Sequence, residues 1–372
     1  MRYTVAEIHL ENLAYNLRRI CERVKPCKVM AVVKADAYGH GAVQVTNRLI
    51  EEGVQYFAVA RIAEALELRH AGIDKAILIF GTLFDDQIEN ALAYDVRITV
   101  TDPRDIERIS RIAARMGKIA IVHFNADTGM GRVGIQSDQA VEEVVRLYQN
   151  QNIRLEGIYS HFATSDTSNK AYAHLQLDRF RKLINDLRGH NIIIPFMHMA
   201  NGGAILDIPE ACQYPFNLVR AGIILYGQYP SLETSESIAL KQVMALKTRV
   251  SLVRRLPEGT CISYGCRYTT SRETQIAVLP IGYADGIHRS FTNKAHVLIK
   301  GKLYPMVGTV TMDQIMVDVG DDEVAAGDMV LIWGDSPQGD IRASRLAEEV
   351  GTISYELCCS VSKRVPRIYI GK

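Results

Sequence analysis

Residues 28–41 read KVMAVVKADAYGHG. From Val29 to Val33 every residue is apolar, and the run stops at Lys34 before a turn that contains Gly39 and Gly41. A short continuous apolar run closed by turn residues fits a strand buried on both faces, as in a parallel sheet. On its N-terminal side Leu10, Leu13, Leu17, Ile20 and Val24 step by three and four and form one helical face. On its C-terminal side further short apolar runs follow at 56–60, 76–80, 97–100, 119–125, 153–162, 192–199 and 216–220. Helical faces lie between them. Ile106, Ile109, Ile112 and Met116 form one, and Tyr172, Leu175, Phe180, Leu183 and Leu187 form another. Eight strands alternating with helices predict an α/β protein in which residues 11–235 form a (β/α)8 TIM barrel. A doubly wound open sheet has the same local pattern, and the strand count favours the barrel.

Beyond Leu240 the helical period fades. Runs at 243–254, 275–279, 296–299, 306–311 and 329–333 are strand-like and separated by Gly, Pro and Asp turns. Residues 236–372, together with 1–10, are therefore expected to form a mainly β domain, joined through a linker at 229–236. A chain of 372 residues, 48% of them apolar, is long enough for two cores. Its formal net charge of +1 argues against a nucleic acid or an anionic membrane as partner. The seven cysteines are odd in number and lack C-x-x-C spacing, which fits reduced thiols. The start, MRYTVAEIHLENL, has early acids and no apolar run before a cleavage site, and no stretch approaches a membrane span. A cytoplasmic protein without a metal site is expected.

Chemistry in a barrel gathers at the C-terminal ends of the strands. Lys34 ends the first strand. A partly desolvated lysine there has a disfavoured ammonium and an available amine, suited to nucleophilic or Schiff-base chemistry. The plainer alternative is a lysine that caps the strand and reaches water. After strands seven and eight come Ala200-Asn201-Gly202-Gly203 and Ala221-Gly222-Ile223. Both are ordinary βα turns or, as a pair, backbone amides that can cradle a phosphate. Arg220 ends the eighth strand as either a structural arginine or a charged group that only donates hydrogen bonds. His161 and His198 close strands six and seven, where histidines serve packing as often as chemistry.

The segment VVKADAYGHG resembles the signature of the alanine racemase family, in which this lysine holds pyridoxal 5'-phosphate as a Schiff base. The remaining motifs fall in family order along nearly the whole chain. NLVRAG at 217–222 resembles the segment whose arginine faces the pyridine nitrogen. The resemblance assigns the phosphate to the Gly222 and Ile223 amides, with Asn201 and Gly202 nearby and Tyr38 and Tyr355 in contact. Gly202 stands where many relatives have serine. CISYG at 261–265 is similar to the segment that supplies a catalytic tyrosine, here Tyr264, which in the family reaches across a homodimer into the partner's barrel. By the same resemblance His161 links that tyrosine to Arg220, and His198 supports Arg220. Arg132 in DTGMGR, Met312 and Asp313 in GTVTMDQ and Tyr283 in IGYADG match segments that receive or admit the substrate.

The resemblance implies an enzyme that interconverts L- and D-alanine and supplies a peptidoglycan precursor. Racemisation removes a proton from one face of the α-carbon and returns one to the other, so two acid–base groups must flank it. The resemblance implies that Lys34 and Tyr264 fill those places. An arginine opposite the pyridine nitrogen keeps it unprotonated, which weakens the electron sink and disfavours transamination. One position departs from the family. Many relatives have a carbamylated lysine two residues before the DTGMGR segment, and here that residue is Asn125. Arg132, expected to be partly buried, then lacks its anionic partner, and a small anion such as chloride, held by Arg132 and Asn125, is expected to replace it. Other readings stay open: a serine or broader amino-acid racemase, a non-catalytic pyridoxal phosphate carrier, and a nicotinamide-dependent dehydrogenase. The last rests on the G-x-G-x-x-G at 129–134 and Glu156 beyond it.

Overall fold

The computed structural model describes residues 4–371. Strand β1 (Val5–His9) leads into the helix Leu10–Val24, whose five stepped apolar residues are all buried. The parallel strands are β2 (Lys28–Val32), β3 (Tyr56–Val59), β4 (Ala76–Ile79), β5 (Arg97–Val100), β6 (Ala120–Asp127), β8 (Ile153–Tyr159), β9 (Phe196–His198) and β10 (Leu218–Ala221), with a two-residue strand β7 (Ile135–Gln136) beside β6. They pair in the order β10-β2-β3-β4-β5-β6-β8-β9. The ring closes where the Asn217 amide donates to Met197 O at 3.1 Å and the Arg220 amide donates to Ala200 O at 2.9 Å. The predicted barrel is present. Its seventh strand is shorter than expected because Ile193 is exposed and Pro195 has no amide to give.

The second sheet is mostly antiparallel: β11 (Met244–Arg249), β12 (Leu252–Leu256), β13 (Thr274–Leu279), β14 (His296–Ile299), β15 (Lys302–Val307), β16 (Ile315–Gly320), β17 (Met329–Ser336), β18 (Gly339–Ile341) and β19 (Arg367–Ile370). Strand β1 lies between β11, to which it is antiparallel, and β19, to which it is parallel. The single run expected at 243–254 is two strands. Val250 donates to Asp328 O beside β17 and Ser251 donates to Val278 O in β13, both at 2.9 Å, so the chain changes partner between these two residues. The run expected at 306–311 is centred earlier, in β15, and Gly308 at φ +73° ends it.

The C-terminal region docks on the barrel mouth. A Cβ at Gly39 would overlap the Cys358 carbonyl, and the Arg367 Nε donates to Gly39 O at 3.0 Å. The turn after β2 is therefore held by both domains. No helix among the described residues is long and apolar enough to cross a membrane.

Candidate active site

The chain leaves β2 in an unusual conformation. Ala35, Asp36, Ala37 and Tyr38 all have φ of 53–54°. Left-handed backbone costs about 1–2 kcal/mol per non-glycine residue, and strain of this kind is characteristic of functional sites. Side chains hold it in place: Glu64 Oε1 accepts from the Ala35 amide at 2.6 Å and Asp36 Oδ1 from the Ala42 amide at 2.7 Å. The turn brings Lys34 and Tyr38 to one cavity of about 340 Å³ at the C-terminal ends of the barrel strands. Burial, and then the nearby Arg132 charge, hold the Lys34 ammonium below its ordinary pKa.

Arg220 forms part of the cavity wall and is buried. Its Nη1 donates to His198 Nδ1 at 2.9 Å and to His198 O at 3.1 Å. Its Nη2 donates to Ser160 O at 2.7 Å, Met199 O at 2.9 Å and His161 Nδ1 at 3.1 Å. Among the described residues it has no carboxylate partner, and its Nε has no acceptor. Burial pulls its pKa down to about 10, which leaves the guanidinium charged at neutral pH. Burial and the Arg220 charge also push His161 and His198 well below the ordinary histidine value, so both imidazoles are neutral. The Tyr159 ring lies 5.1 Å from the guanidinium carbon and stacks on His198 at 5.0 Å.

The two glycine turns meet on the same side of the cavity. The amides of Gly202, Gly222 and Ile223 have no acceptor among the described residues. Asn201 caps the helix Gly202–Asp207, its Oδ1 accepting from the Ala204 amide at 3.1 Å. A Cβ at Gly222 would stand 2.8 Å from Tyr38 Oη, so a side chain there would fill the space beneath the phenol. Tyr38 and Tyr355 rings are 6.0 Å apart, and burial raises both phenols.

Asn125 and Arg132 also line the cavity. Arg132 is exposed, contrary to the expectation of partial burial, because it lies on the loop after β6 rather than on the strand. Asp127 is not its partner. The Asp127 carboxylate accepts from the amides of Gly129 and Met130 at 2.8 Å, from Gly131 at 3.1 Å and from Gln136 Nε2 at 3.2 Å. The amides that a G-x-G-x-x-G loop would offer a dinucleotide phosphate are thus already occupied, which removes the basis of the dehydrogenase reading.

Eleven of the sequence-derived residues line this cavity: Lys34, Tyr38, Asn125, Arg132, His161, Asn201, Gly202, Arg220, Gly222, Ile223 and Tyr355. His198 lies behind Arg220. Tyr264, Met312 and Tyr283 are elsewhere, on the β domain, exposed by 74%, 52% and 44%. Tyr264 occupies a strained turn with Ser263 at φ +65° and Cys266 at φ +46°. This turn is braced by Ser263 Oγ donating to Thr309 O at 2.7 Å and Thr309 Oγ1 donating to Tyr264 O at 2.6 Å. Met312 O accepts from the Ala284 amide at 3.0 Å, and Asp313 pairs with Arg364 at 2.8 Å. Sequence reasoning missed the cavity residues Tyr159, Ser160, Phe80 and Met130. The first two precede His161, and their place at the strand end was a usable signal.

Residues 8–230 match the family model described as alanine racemase, N-terminal domain, and residues 243–369 match alanine racemase, C-terminal domain. The alanine racemase of Clostridium novyi is 42% identical over 374 residues, covering 100% of this chain and 96% of its own. That of Desulforamulus reducens is 45% identical over 370 residues, covering 98% of each. The alanine racemase structure from Clostridium difficile 630 superposes with a TM-score of 0.93 at 40% identity, covering 99% of this chain and 96% of that one. This chain is an enzyme of the alanine racemase family.

Proposed function

We propose that the protein is a pyridoxal-phosphate-dependent racemase that interconverts L- and D-alanine, working as a homodimer with composite sites. The observation that carries this reading is the shared cavity of Lys34, with its disfavoured ammonium, and Arg220, a buried guanidinium with no carboxylate partner among the described residues. The residues fit the cofactor. Unpartnered amides at Gly202, Gly222 and Ile223, with the Tyr38 and Tyr355 phenols, suit a phosphate. The free Arg220 Nε suits a ring nitrogen, and Lys34 suits covalent attachment. When bound, pyridoxal phosphate supplies an electron sink that acidifies the substrate's α-hydrogen.

Lys34, whose ammonium is disfavoured by burial, takes the proton from one face of the α-carbon. Tyr264 of the partner subunit holds the proton for the other face. The high exposure of Tyr264, Met312 and Tyr283, outside their own subunit's cavity, supports a role across an interface. Arg220 only donates hydrogen bonds, so it leaves no acceptor for a ring-nitrogen proton. Arg132 and Met312 would receive the substrate carboxylate. The test is purified enzyme with a panel of L-amino acids, the D-products being separated by chiral chromatography. D-alanine as the main product supports the proposal. D-serine or a broad set points to a wider racemase, and no product from any of them refutes catalysis.

Two smaller effects follow from the walls of the cavity. A Cβ at Gly202 would meet Ile224 Cγ2 at 3.3 Å and Pro230 Cγ at 3.5 Å, a fit that needs a shift of a few tenths of an ångström. Gly202→Ser should therefore fit and add one hydroxyl to the phosphate cradle. A hydrogen bond to a charged group contributes about 1.5 kcal/mol, or roughly tenfold slower loss of cofactor on dialysis. Unchanged or faster loss would contradict the assigned cradle.

We also propose a chloride ion between Arg132 and the Asn125 amide. Because Arg132 is exposed, the contribution is at most about 1 kcal/mol. Replacing chloride by a bulky organic anion should raise the KM for alanine by no more than about fivefold. Asn125→Lys should make activity respond to bicarbonate. Kinetics indifferent to both changes would rule the ion out.

A further inference from the structure

A buried polar chain runs from Arg220 away from the cavity. His198 Nε2 lies 2.9 Å from His123 Nδ1, and His123 Nε2 lies 3.2 Å from Glu156 Oε2. Arg97 Nε reaches the same carboxylate oxygen at 3.3 Å. His123 and His198 are almost wholly buried, in the barrel interior.

The proton positions along this chain follow from its ends. Arg220 can only donate, so His198 Nδ1 must accept and the His198 proton sits on Nε2. That proton is donated to His123 Nδ1, which leaves the His123 proton on Nε2, where the Glu156 carboxylate accepts it. Burial holds both imidazoles below their ordinary pKa, consistent with two neutral rings. Burial alone would raise the Glu156 carboxyl. The His123 hydrogen bond and the Arg97 charge outweigh it and keep the group ionised.

The backbone is built around this arrangement. Val122 pairs with Leu155 but His123 pairs with Gly157, so Glu156 is an extra residue in β8, a bulge that redirects its side chain. A Cβ at Gly157 would overlap the His123 ring, standing 2.9 Å from its Cγ. Glycine at 157 makes room for the imidazole. Buried ion-bearing networks rarely repay their desolvation in stability, and a role in function is the better account of this one.

We infer that Glu156 is the remote counter-charge of Arg220, and that His123 and His198 are positioning residues that carry its effect through a single tautomeric arrangement. This rests on the proposed role of Arg220 opposite the cofactor nitrogen. A carboxylate at the far end makes His198 Nδ1 a stronger acceptor and holds the guanidinium in its fork between His198 and His161.

Glu156→Gln tests this, since it removes the charge and keeps an oxygen that can accept from His123. In apoenzyme labelled with ¹⁵N-histidine, both rings should carry the proton on Nε2, and the variant should shift the His198 nitrogen signals. Arg97→Gln, which removes the competing cation, should shift them the opposite way and serves if the first variant fails to fold. In holoenzyme, Glu156→Gln should raise transamination events per racemisation by about tenfold, the size of effect seen for outer partners of ligand histidines, with the KM for alanine unchanged. A His198 proton on Nδ1, His198 signals indifferent to both variants, or an unaltered partition overturns the inference. A wild-type protein that binds no pyridoxal phosphate refutes the functional reading alone, and the apoenzyme signals then decide the chain.

Discussion

Lys34→Ala is expected to lower alanine racemisation by about 10⁴-fold or more, the upper range for loss of a positioned acid–base group, because in the proposed mechanism the same side chain also anchors the cofactor. The turn after β2 sets the size of this effect. Four left-handed residues, Glu64 and the Cys358 carbonyl packed on Gly39 hold the turn in place, and Lys34 is the one lysine among the described residues that line the cavity. Borohydride reduction of the wild type should fix the cofactor to the peptide containing Lys34. A small amine such as methylamine, able to enter a cavity of about 340 Å³, should return a fraction of the lost activity. Labelling of another lysine, or a variant that retains substantial activity, would exclude Lys34 from the role.

Tyr264→Phe should lower racemisation by about 10²- to 10⁴-fold while leaving the visible cofactor band in place, because it removes one acid–base group and touches nothing in its own cavity. The geometry makes a sharper prediction. If Tyr264 serves the partner's barrel, a hybrid of one Lys34→Ala and one Tyr264→Phe subunit has one site with both changes and one with neither. Random reassortment yields half hybrids, so mixing two inactive proteins should restore about one quarter of wild-type activity. No recovery after verified subunit exchange would mean that Tyr264 acts within its own chain or not at all.

The arrangement also bears on two of the competing readings. The Asp127 carboxylate fills the loop that a dinucleotide would need, and the β domain that a single-barrel carrier would lack is present as β11–β19. In the proposed dimer, substrate width among small amino acids would depend on what Tyr264, Tyr283 and Met312 present to the partner's cavity. All three are displayed on the β domain and none lines the Lys34 cavity of its own chain.

The local pattern of the chain carried the eight barrel strands, the helix Leu10–Val24, the position of Lys34 at a strand end and the two glycine turns after strands seven and eight. Apolar period and turn residues record how each segment meets its immediate surroundings, and these features need nothing more. Tertiary structure alone decided which side chains meet across the ring. A single apolar run divides into two strands at Val250 and Ser251 because their amides find acceptors in different neighbours. Arg132 is exposed because its loop leaves the barrel, while Asp127 turns back onto its own amides. Tyr159 reaches Arg220, and Glu156 reaches His123, only through barrel closure and a one-residue bulge in β8. Such contacts join residues 33 to 75 positions apart. Their distances depend on register and closure, which no local window of sequence contains.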